Sequence, residues 1–99
     1  MVFIRMSLMT PRPGQEEKLA DLLDQLVHYF HGKPGFVAAY RLSPDRHLRE
    51  ERAGRISIWE SEEDANRMSS DDHDLALQAE IKLLAVETTH EEHSFVGTP

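Results

Sequence analysis

The pattern of apolar residues changes from one period to another within the first third of the chain. Residues 2–10 alternate, which predicts a β-strand because successive side chains of a strand point to opposite faces. One face of this strand is apolar and the other is mixed, with Phe3, Arg5, Ser7 and Met9. Between Gln15 and Phe30 the apolar residues recur every three or four positions. This spacing predicts an amphipathic α-helix that ends before Gly32 and Pro34.

Two further strands are predicted in the middle of the chain. Phe36–Leu42 and Gly54–Glu60 both alternate, and the second places Ile56 and Ile58 on the same side. The residues between these strands, Ser43–Ala53, are polar and charged. We therefore expect a long hairpin connection there.

The C-terminal third combines helix caps with a last strand. Ser61 predicts the start of a short helix that ends near Ser69, and Ser70 or Asp71 predicts the start of another. Thr88–Val96 predicts a final strand, although two adjacent glutamates interrupt its alternation. Four residues share one face of the second helical segment: His73, Leu77, Ile81 and Leu84.

The order strand, helix, strand, strand, helix, strand is typical of the α+β class with a ferredoxin-like βαββαβ arrangement. We expect a single domain over residues 1–99, with one four-stranded antiparallel sheet and a second helix broken in two. Helices on one face leave the other face uncovered, and a second copy of the chain would bury it in a homodimer. We assign Phe3, Met9 and Trp59 to this partner-facing side.

Charge and cysteine content exclude several functions. The chain has 11 basic and 18 acidic residues, a net charge of −7, so it lacks the cations that neutralise nucleic-acid phosphates. Its one local group of arginines, at positions 46, 49, 52 and 55, is expected to lie in a solvated loop or to contact an anion. No cysteine is present, which fits a reducing compartment. No apolar run is long enough for a membrane span, so we expect a cytoplasmic protein.

Four short features resemble the antibiotic biosynthesis monooxygenase family. Pro13–Glu16 leads into the first helix and Lys33–Phe36 leads into the second strand. Ile58–Glu63 reads IWESEE, where the family has a tryptophan, an acid and a serine between a strand and a helix. His73 follows the tryptophan at the position where members often carry a histidine that opens the last helix.

The resemblance covers nearly the whole chain and implies a dimeric α+β barrel of two ferredoxin-like subunits. Some members oxygenate quinols or polyketide aromatics without metal or flavin, relatives degrade haem, and others isomerise small signalling molecules. The haem-degrading members use an Asn, a Trp and a His, and those positions here hold Ser7, Met68 and Leu77. Haem degradation is therefore not expected. Met68 also stands where members commonly place another histidine.

His73 is the candidate catalytic residue. Its place on the apolar stripe of its helix predicts that it faces the sheet, where the family has its cavity. An imidazole there could accept a proton from a phenolic substrate, because its ordinary pKa is close to neutral pH. The alternative is a boundary residue that is hydrogen-bonded to Asp71 or to a carbonyl.

Four further residues are candidates for binding a substrate: Trp59, Tyr40, Arg5 and Ser7. Trp59 could stack on an aromatic ligand, or it could fill the dimer seam or the strand end. Tyr40, Arg5 and Ser7 lie on strands, where they place polar groups among apolar neighbours. Arg5 needs an acidic partner, for which we expect a glutamate of the last strand, or an anionic ligand.

No metal site is expected. His90 and His93 are three residues apart on a predicted strand, so they point to opposite faces and cannot share an ion. His28 and His31 lie near a helix C-terminus, where histidines interact with the helix dipole.

Three functional hypotheses remain. The first is a monooxygenase without metal or flavin that acts on a small phenolic or quinol aromatic substrate. In this first hypothesis, His73 takes a proton from the substrate, and the substrate carbanion that results reacts directly with dioxygen. The second is a non-catalytic dimeric module that binds a small molecule or a partner. The third is an isomerase or lyase acting on a small acidic metabolite anchored by Arg5.

Overall fold

The alternating segments form strands and the segments with helical spacing form helices in a computed structural model of the chain. The structure describes all 99 residues apart from the side chain of Arg46. The strands are β1 (Val2–Met9), β2 (Phe36–Leu42), β3 (Ala53–Trp59) and β4 (Glu91–Gly97). The helices are α1 (Glu16–Phe30), α2 (Glu62–Ser69) and α3 (Asp72–Leu84). The predicted βαββαβ order with a broken second helix is confirmed.

The four strands form one antiparallel sheet in the order β2–β3–β1–β4. The two central strands, β1 and β3, pair so that Ile4 lies opposite Ile58 and Met6 opposite Ile56. They approach so closely at Gly54 that a Cβ atom there would overlap the carbonyl oxygen of Ser7. Only glycine fits this position without moving a strand.

The caps predicted from the sequence begin both halves of the broken helix. The Ser61 hydroxyl accepts a hydrogen bond from the Asp64 N–H at 3.1 Å, and the Asp71 carboxylate accepts one from the Asp74 N–H at 3.0 Å. Each bond satisfies an amide that has no partner within its helix. The Tyr29 hydroxyl also donates to Asp71 at 2.9 Å, which ties α1 to the α2–α3 junction.

The last strand is shorter than predicted because residues 87–89 form a turn of 3₁₀-helix. The Thr89 hydroxyl donates to the Val86 carbonyl at 2.6 Å and accepts a hydrogen bond from the Thr10 N–H at 3.0 Å. These bonds fix the turn against the end of β1. The strand therefore begins at Glu91 instead of Thr88.

The core lies between one face of the sheet and the three helices. Residues of α1 and α3 meet the sheet there, among them Leu19, Leu26 and Ile81, each 0 % exposed. The assignment of Phe3, Met9 and Trp59 to the partner-facing side is wrong. Met9 and Trp59 are each 1 % exposed, and Phe3 packs against the same core. Alternation separates two faces of a strand, but it does not decide which face the helices cover.

The opposite face, which we call the open face, is covered by none of the described helices. It is mostly apolar at its centre, and Tyr40 and Phe95 on its flanking strands are 60 % and 50 % exposed. The register places these residues on it: Val2, Ile4, Met6, Leu8, Ala38, Tyr40, Leu42, Ile56, Ile58, Glu91, His93 and Phe95. None of the described helices is both long and apolar enough to cross a membrane.

Candidate functional site

A cavity of about 340 Å³ lies between the covered face of the sheet and helices α2 and α3. Its volume is at the lower end of the range of roughly 300–1,000 Å³ that ligand pockets span. Three other clefts are larger, at about 520, 610 and 640 Å³, but no buried ionisable residue lines any of them. Arg55 and Asp74 are buried ionisable residues, and both line the smaller cavity. We therefore take it as the candidate site.

Arg55 reaches the cavity from β3 and is 7 % exposed. Its Nε atom is fully buried and has no hydrogen-bond partner among the described residues. Its guanidinium carbon lies 5.6 Å from the centre of the Phe30 ring. Burial lowers the pKa of this guanidinium, while the negative charges of Glu92 and Asp74 act in the opposite direction.

Asp74 reaches the cavity from the first turn of α3 and is 4 % exposed. Burial raises the pKa of its carboxyl group from an ordinary 3.8 to about 6, and the Arg55 charge opposes this rise. A carboxyl group with this pKa is mostly ionised at neutral pH and close to the pH at which it exchanges protons readily. Asp74 can therefore accept a proton from a ligand in the cavity.

Arg5 also lines the cavity, but its guanidinium is already occupied. It donates hydrogen bonds to the Ala65 carbonyl at 3.3 Å, to the Ser69 hydroxyl and to the Asn66 side-chain oxygen. The expected glutamate partner from the last strand is wrong, because all three acceptors belong to α2. Arg5 thus holds α2 against the sheet.

Trp59 and Phe30 form an aromatic part of the wall. Their rings meet edge to face with centroids 5.5 Å apart. The Trp59 indole N–H donates to the Ser57 hydroxyl at 3.0 Å, so its polar atom is satisfied. Trp59 therefore fills the core at the end of β3 and also borders the cavity. It does not lie on the open face, where a dimer seam would form.

Ser7 is buried next to the cavity without lining it. Its hydroxyl donates to the Glu92 carboxylate at 2.9 Å and lies 3.2 Å from His90 Nε2. Glu92 in turn lines the cavity. His90 thus lies on the covered side, whereas His93 lies opposite Met6 on the open face, as their spacing predicts.

The structure separates two predicted site residues from the cavity. His73 is exposed and packs on Tyr29 of α1, with ring centroids 4.3 Å apart, so its predicted orientation toward the sheet is wrong. At the N-terminal end of α3, the helix face that carries His73 is turned toward α1. A neighbouring face of the same helix, with Asp74, Gln78 and Lys82, lines the cavity. Tyr40 is 60 % exposed on the open face, on the other side of the sheet.

Sequence reasoning missed Arg55 and Asp74. Arg55 was grouped with loop arginines, yet the register of β3 gives it the same face as Trp59, and that alternation was a usable signal. Asp74 lies in the first turn of α3, where an acidic residue is expected for its favourable interaction with the helix dipole alone. Its position four residues before Gln78 and eight before Lys82 puts it on one helix face with them, but nothing in the pattern showed that this face was lined by a cavity.

Comparison with known proteins supports the fold. No family model matches the chain, and neither does any curated protein. A solved mutant of SnoaB, a cofactor-independent oxygenase from Streptomyces nogalater, is 16 % identical with a TM-score of 0.83, over 99 % of this chain and 94 % of that one. A protein from Nitrosomonas europaea, provisionally assigned as an antibiotic biosynthesis monooxygenase, is 11 % identical with a TM-score of 0.84, over 97 % and 89 %.

A third solved structure, described as an antibiotic biosynthesis monooxygenase, is 13 % identical with a TM-score of 0.81 over the full length of both chains. At this level of identity the likeness concerns the fold. The resemblance seen in the sequence motifs is thus confirmed in three dimensions: the chain has the ferredoxin-like fold that many antibiotic biosynthesis monooxygenases share.

Proposed function

We propose that the protein is a monooxygenase that uses no metal or flavin and acts on a small phenolic or quinol aromatic compound bound in the cavity. The observation that carries this proposal is Asp74, a buried carboxyl group that faces the cavity beside an aromatic wall. The fold likeness to a cofactor-independent oxygenase supports the same class of reaction.

The chemistry begins with removal of a proton from the substrate hydroxyl by Asp74. The phenolate is electron-rich and transfers an electron to dioxygen, and a C–O bond then forms at a ring C–H carbon ortho or para to the hydroxyl. Loss of that C–H proton breaks the O–O bond and releases water, which leaves a carbonyl. One phenol and one dioxygen thus give one quinone and one water. Asp74 takes the role that the sequence suggested for His73, because a base must lie within reach of the proton.

The aromatic wall favours a ring-shaped substrate. Trp59 and Phe30 present ring surfaces to the cavity, and aromatic pairs prefer offset or edge-to-face contacts that these rings can offer. The Trp59 indole N–H is already bonded to Ser57, so the indole contributes shape rather than a hydrogen bond. The substrate hydroxyl would instead form its hydrogen bond with the Asp74 carboxylate.

The open face supports the further proposal that two copies of the chain form a homodimer. Apolar residues of the two central strands, Ile4, Met6, Ile56 and Ile58, form a continuous surface that none of the described helices covers. Exposed apolar patches of this kind mark interaction sites. Packing two such faces together would bury Tyr40 and Phe95 as well, and it would leave the cavity of each subunit on the outer side of its sheet.

The activity is tested by following dioxygen uptake with a panel of phenols and hydroquinones. We expect turnover above autoxidation, incorporation of one oxygen atom from isotopically heavy dioxygen into the product, and no hydrogen peroxide. Asp74→Asn should lower kcat by about 100-fold or more, whereas His73→Ala should change it by less than about twofold. Uptake equal to the uncatalysed rate for every compound would contradict the proposal and favour the non-catalytic binding module.

A further inference from the structure

Arg55 is the one buried cation among the described residues that line the cavity, and none of them accepts a hydrogen bond from it. Arg5 is bonded to three acceptors on α2, and Lys82 is exposed to solvent. Arg55 is buried, its Nε has no partner, and no described acceptor receives a hydrogen bond from its guanidinium. Removing a charge from water without a partner is costly, and for this reason buried charges in proteins are normally paired.

The neighbouring carboxylates do not satisfy this cation. Asp74 and Glu92 line the same cavity, but neither forms an ion pair with Arg55 within 4.0 Å. Glu92 accepts the hydrogen bond of Ser7 and lies 2.7 Å from His90 Nε2, so it is engaged elsewhere. The guanidinium is therefore free to bind a group inside the cavity.

We propose that the cavity binds aromatic compounds that carry a carboxylate, with the carboxylate on the Arg55 guanidinium and the ring against Trp59 and Phe30. A planar guanidinium matches the two oxygens of a carboxylate. Its carbon lies 5.6 Å from the Phe30 ring, so a ring and a carboxylate attached to it can be contacted together. A phenolic carboxylate would then hold its hydroxyl toward Asp74, on the helix side of the same cavity.

This assignment deepens the proposed function, since it names the substrate class of the same site. It does not require turnover, because binding of the carboxylate depends on Arg55 alone. The two proposals can therefore fail separately.

Binding is measured with three probes that share one ring: salicylate, methyl salicylate and phenol. Trp59 is the only tryptophan of the chain, so quenching of its fluorescence reports occupancy of the cavity, and calorimetry gives an independent Kd. We expect the wild-type protein to bind salicylate about tenfold or more tightly than its methyl ester, the range for a charge-assisted hydrogen bond. Equal affinity for acid and ester in the wild type overturns the proposal.

Three variants locate the effect. Arg55→Met should reduce salicylate affinity to that of the ester, and Arg55→Lys should retain part of the preference because it keeps the charge without the planar fork. Lys82→Met, which removes the solvent-exposed cation of the cavity wall, should keep the preference. Retention of the preference in Arg55→Met, or its loss in Lys82→Met alone, contradicts the assignment.

A thermal measurement guards against a purely structural role. An unpaired buried charge can be replaced by an apolar side chain of similar volume without loss of stability, so Arg55→Met should melt at or above the wild-type temperature. Salicylate should raise the melting temperature of the wild type and not that of the variant. A strongly destabilised Arg55→Met that still responds to salicylate contradicts the proposal.

The outcomes separate the two claims. Arg55-dependent salicylate binding without any dioxygen uptake supports the anion site and contradicts the monooxygenase. Dioxygen uptake with neutral phenols, together with equal binding of salicylate and its ester, supports the monooxygenase and contradicts the anion site.

Discussion

The two faces of the sheet differ most at the middle of the same two central strands. On the covered face the middle positions are polar, Arg5, Ser7, Arg55 and Ser57, and apolar residues such as Trp59 flank them. On the open face the two strands place apolar residues: Ile4, Met6, Ile56 and Ile58. A small isolated domain would gain stability from the reverse arrangement, with the apolar residues under the helices. This difference supports the two proposals that the covered face binds a ligand and that the open face packs against a second copy of the chain.

The strongest test of this difference is a charge placed at the centre of the open face. Ile56→Lys should convert a dimer into a monomer, because burying an unpaired ammonium between two sheets costs several kcal/mol. Sedimentation at micromolar concentration measures the oligomeric state, and circular dichroism checks that the sheet persists. Ile56→Val is the matched control and should remain dimeric. A monomeric wild type, or a dimeric Ile56→Lys, contradicts the interpretation of the open face.

On the covered face, truncation of Trp59 should give the largest loss of stability. Trp59→Ala leaves a cavity at a site that is 1 % exposed, which typically lowers the free energy of unfolding by about 3–5 kcal/mol. Urea unfolding followed by circular dichroism measures this. Trp59→Phe should lose clearly less, since it keeps an aromatic ring and gives up the hydrogen bond to Ser57. Equal losses in both variants would mean that the hydrogen bond, rather than packing, dominates.

A smaller effect on stability is expected from the buried carboxyl group of Asp74, and it depends on pH. Burial raises the pKa of Asp74 from 3.8 to about 6, so ionising this group costs the folded state more than the unfolded chain. The cost is absent below about pH 3.8, grows as the pH rises toward 6, and is constant above it.

Asp74→Asn removes this cost. The variant should therefore unfold at higher urea concentration than the wild type at neutral pH, and the difference should shrink to near zero at about pH 4. The backbone N–H of residue 74 donates the capping hydrogen bond to the Asp71 carboxylate, so the cap survives the substitution. Wild type and variant that differ equally at all pH values would show that the carboxyl group is not desolvated in the folded state.

The smallest effect is expected at His73, which belongs to neither face of the sheet. His73→Ala loses only an exposed contact with the Tyr29 ring, so the free energy of unfolding should change by less than about 0.5 kcal/mol. A large loss of either stability or activity would mean that His73 turns toward the sheet in the working protein.

The fold could be predicted because its signals are local. The helical spacing of α1, the caps at Ser61 and Asp71 and the alternation of β3 each follow from backbone geometry over a few residues. The site could be predicted only in part. Trp59 and Arg5 reach the cavity, but the sequence could not show which face of the sheet the helices cover. Tyr40, a candidate for substrate binding, lies on the open face, away from the cavity.

Arg55 shows why other residues of the site could not be predicted from the sequence. A buried arginine without a partner contradicts the general expectation that arginines lie in solvent or are paired, so the sequence favoured a solvated loop. His73 failed for a related reason. Helical spacing defines a stripe, but whether that stripe meets the sheet or a neighbouring helix depends on how α3 is rotated, and tertiary packing sets this rotation.

The break between α2 and α3 has a consequence for the size of the site. An unbroken helix from Glu62 to Leu84 would be about 35 Å long, whereas a seven-residue strand such as β3 is only about 23 Å long. Because of the break, two shorter helices pack on the sheet in place of one long helix. Met68 of α2 and Asp74 of α3 both line the cavity. Adding or removing residues at Ser70 would therefore resize the cavity without touching any residue that lines it, which makes this junction the natural place to engineer the protein for larger or smaller ligands.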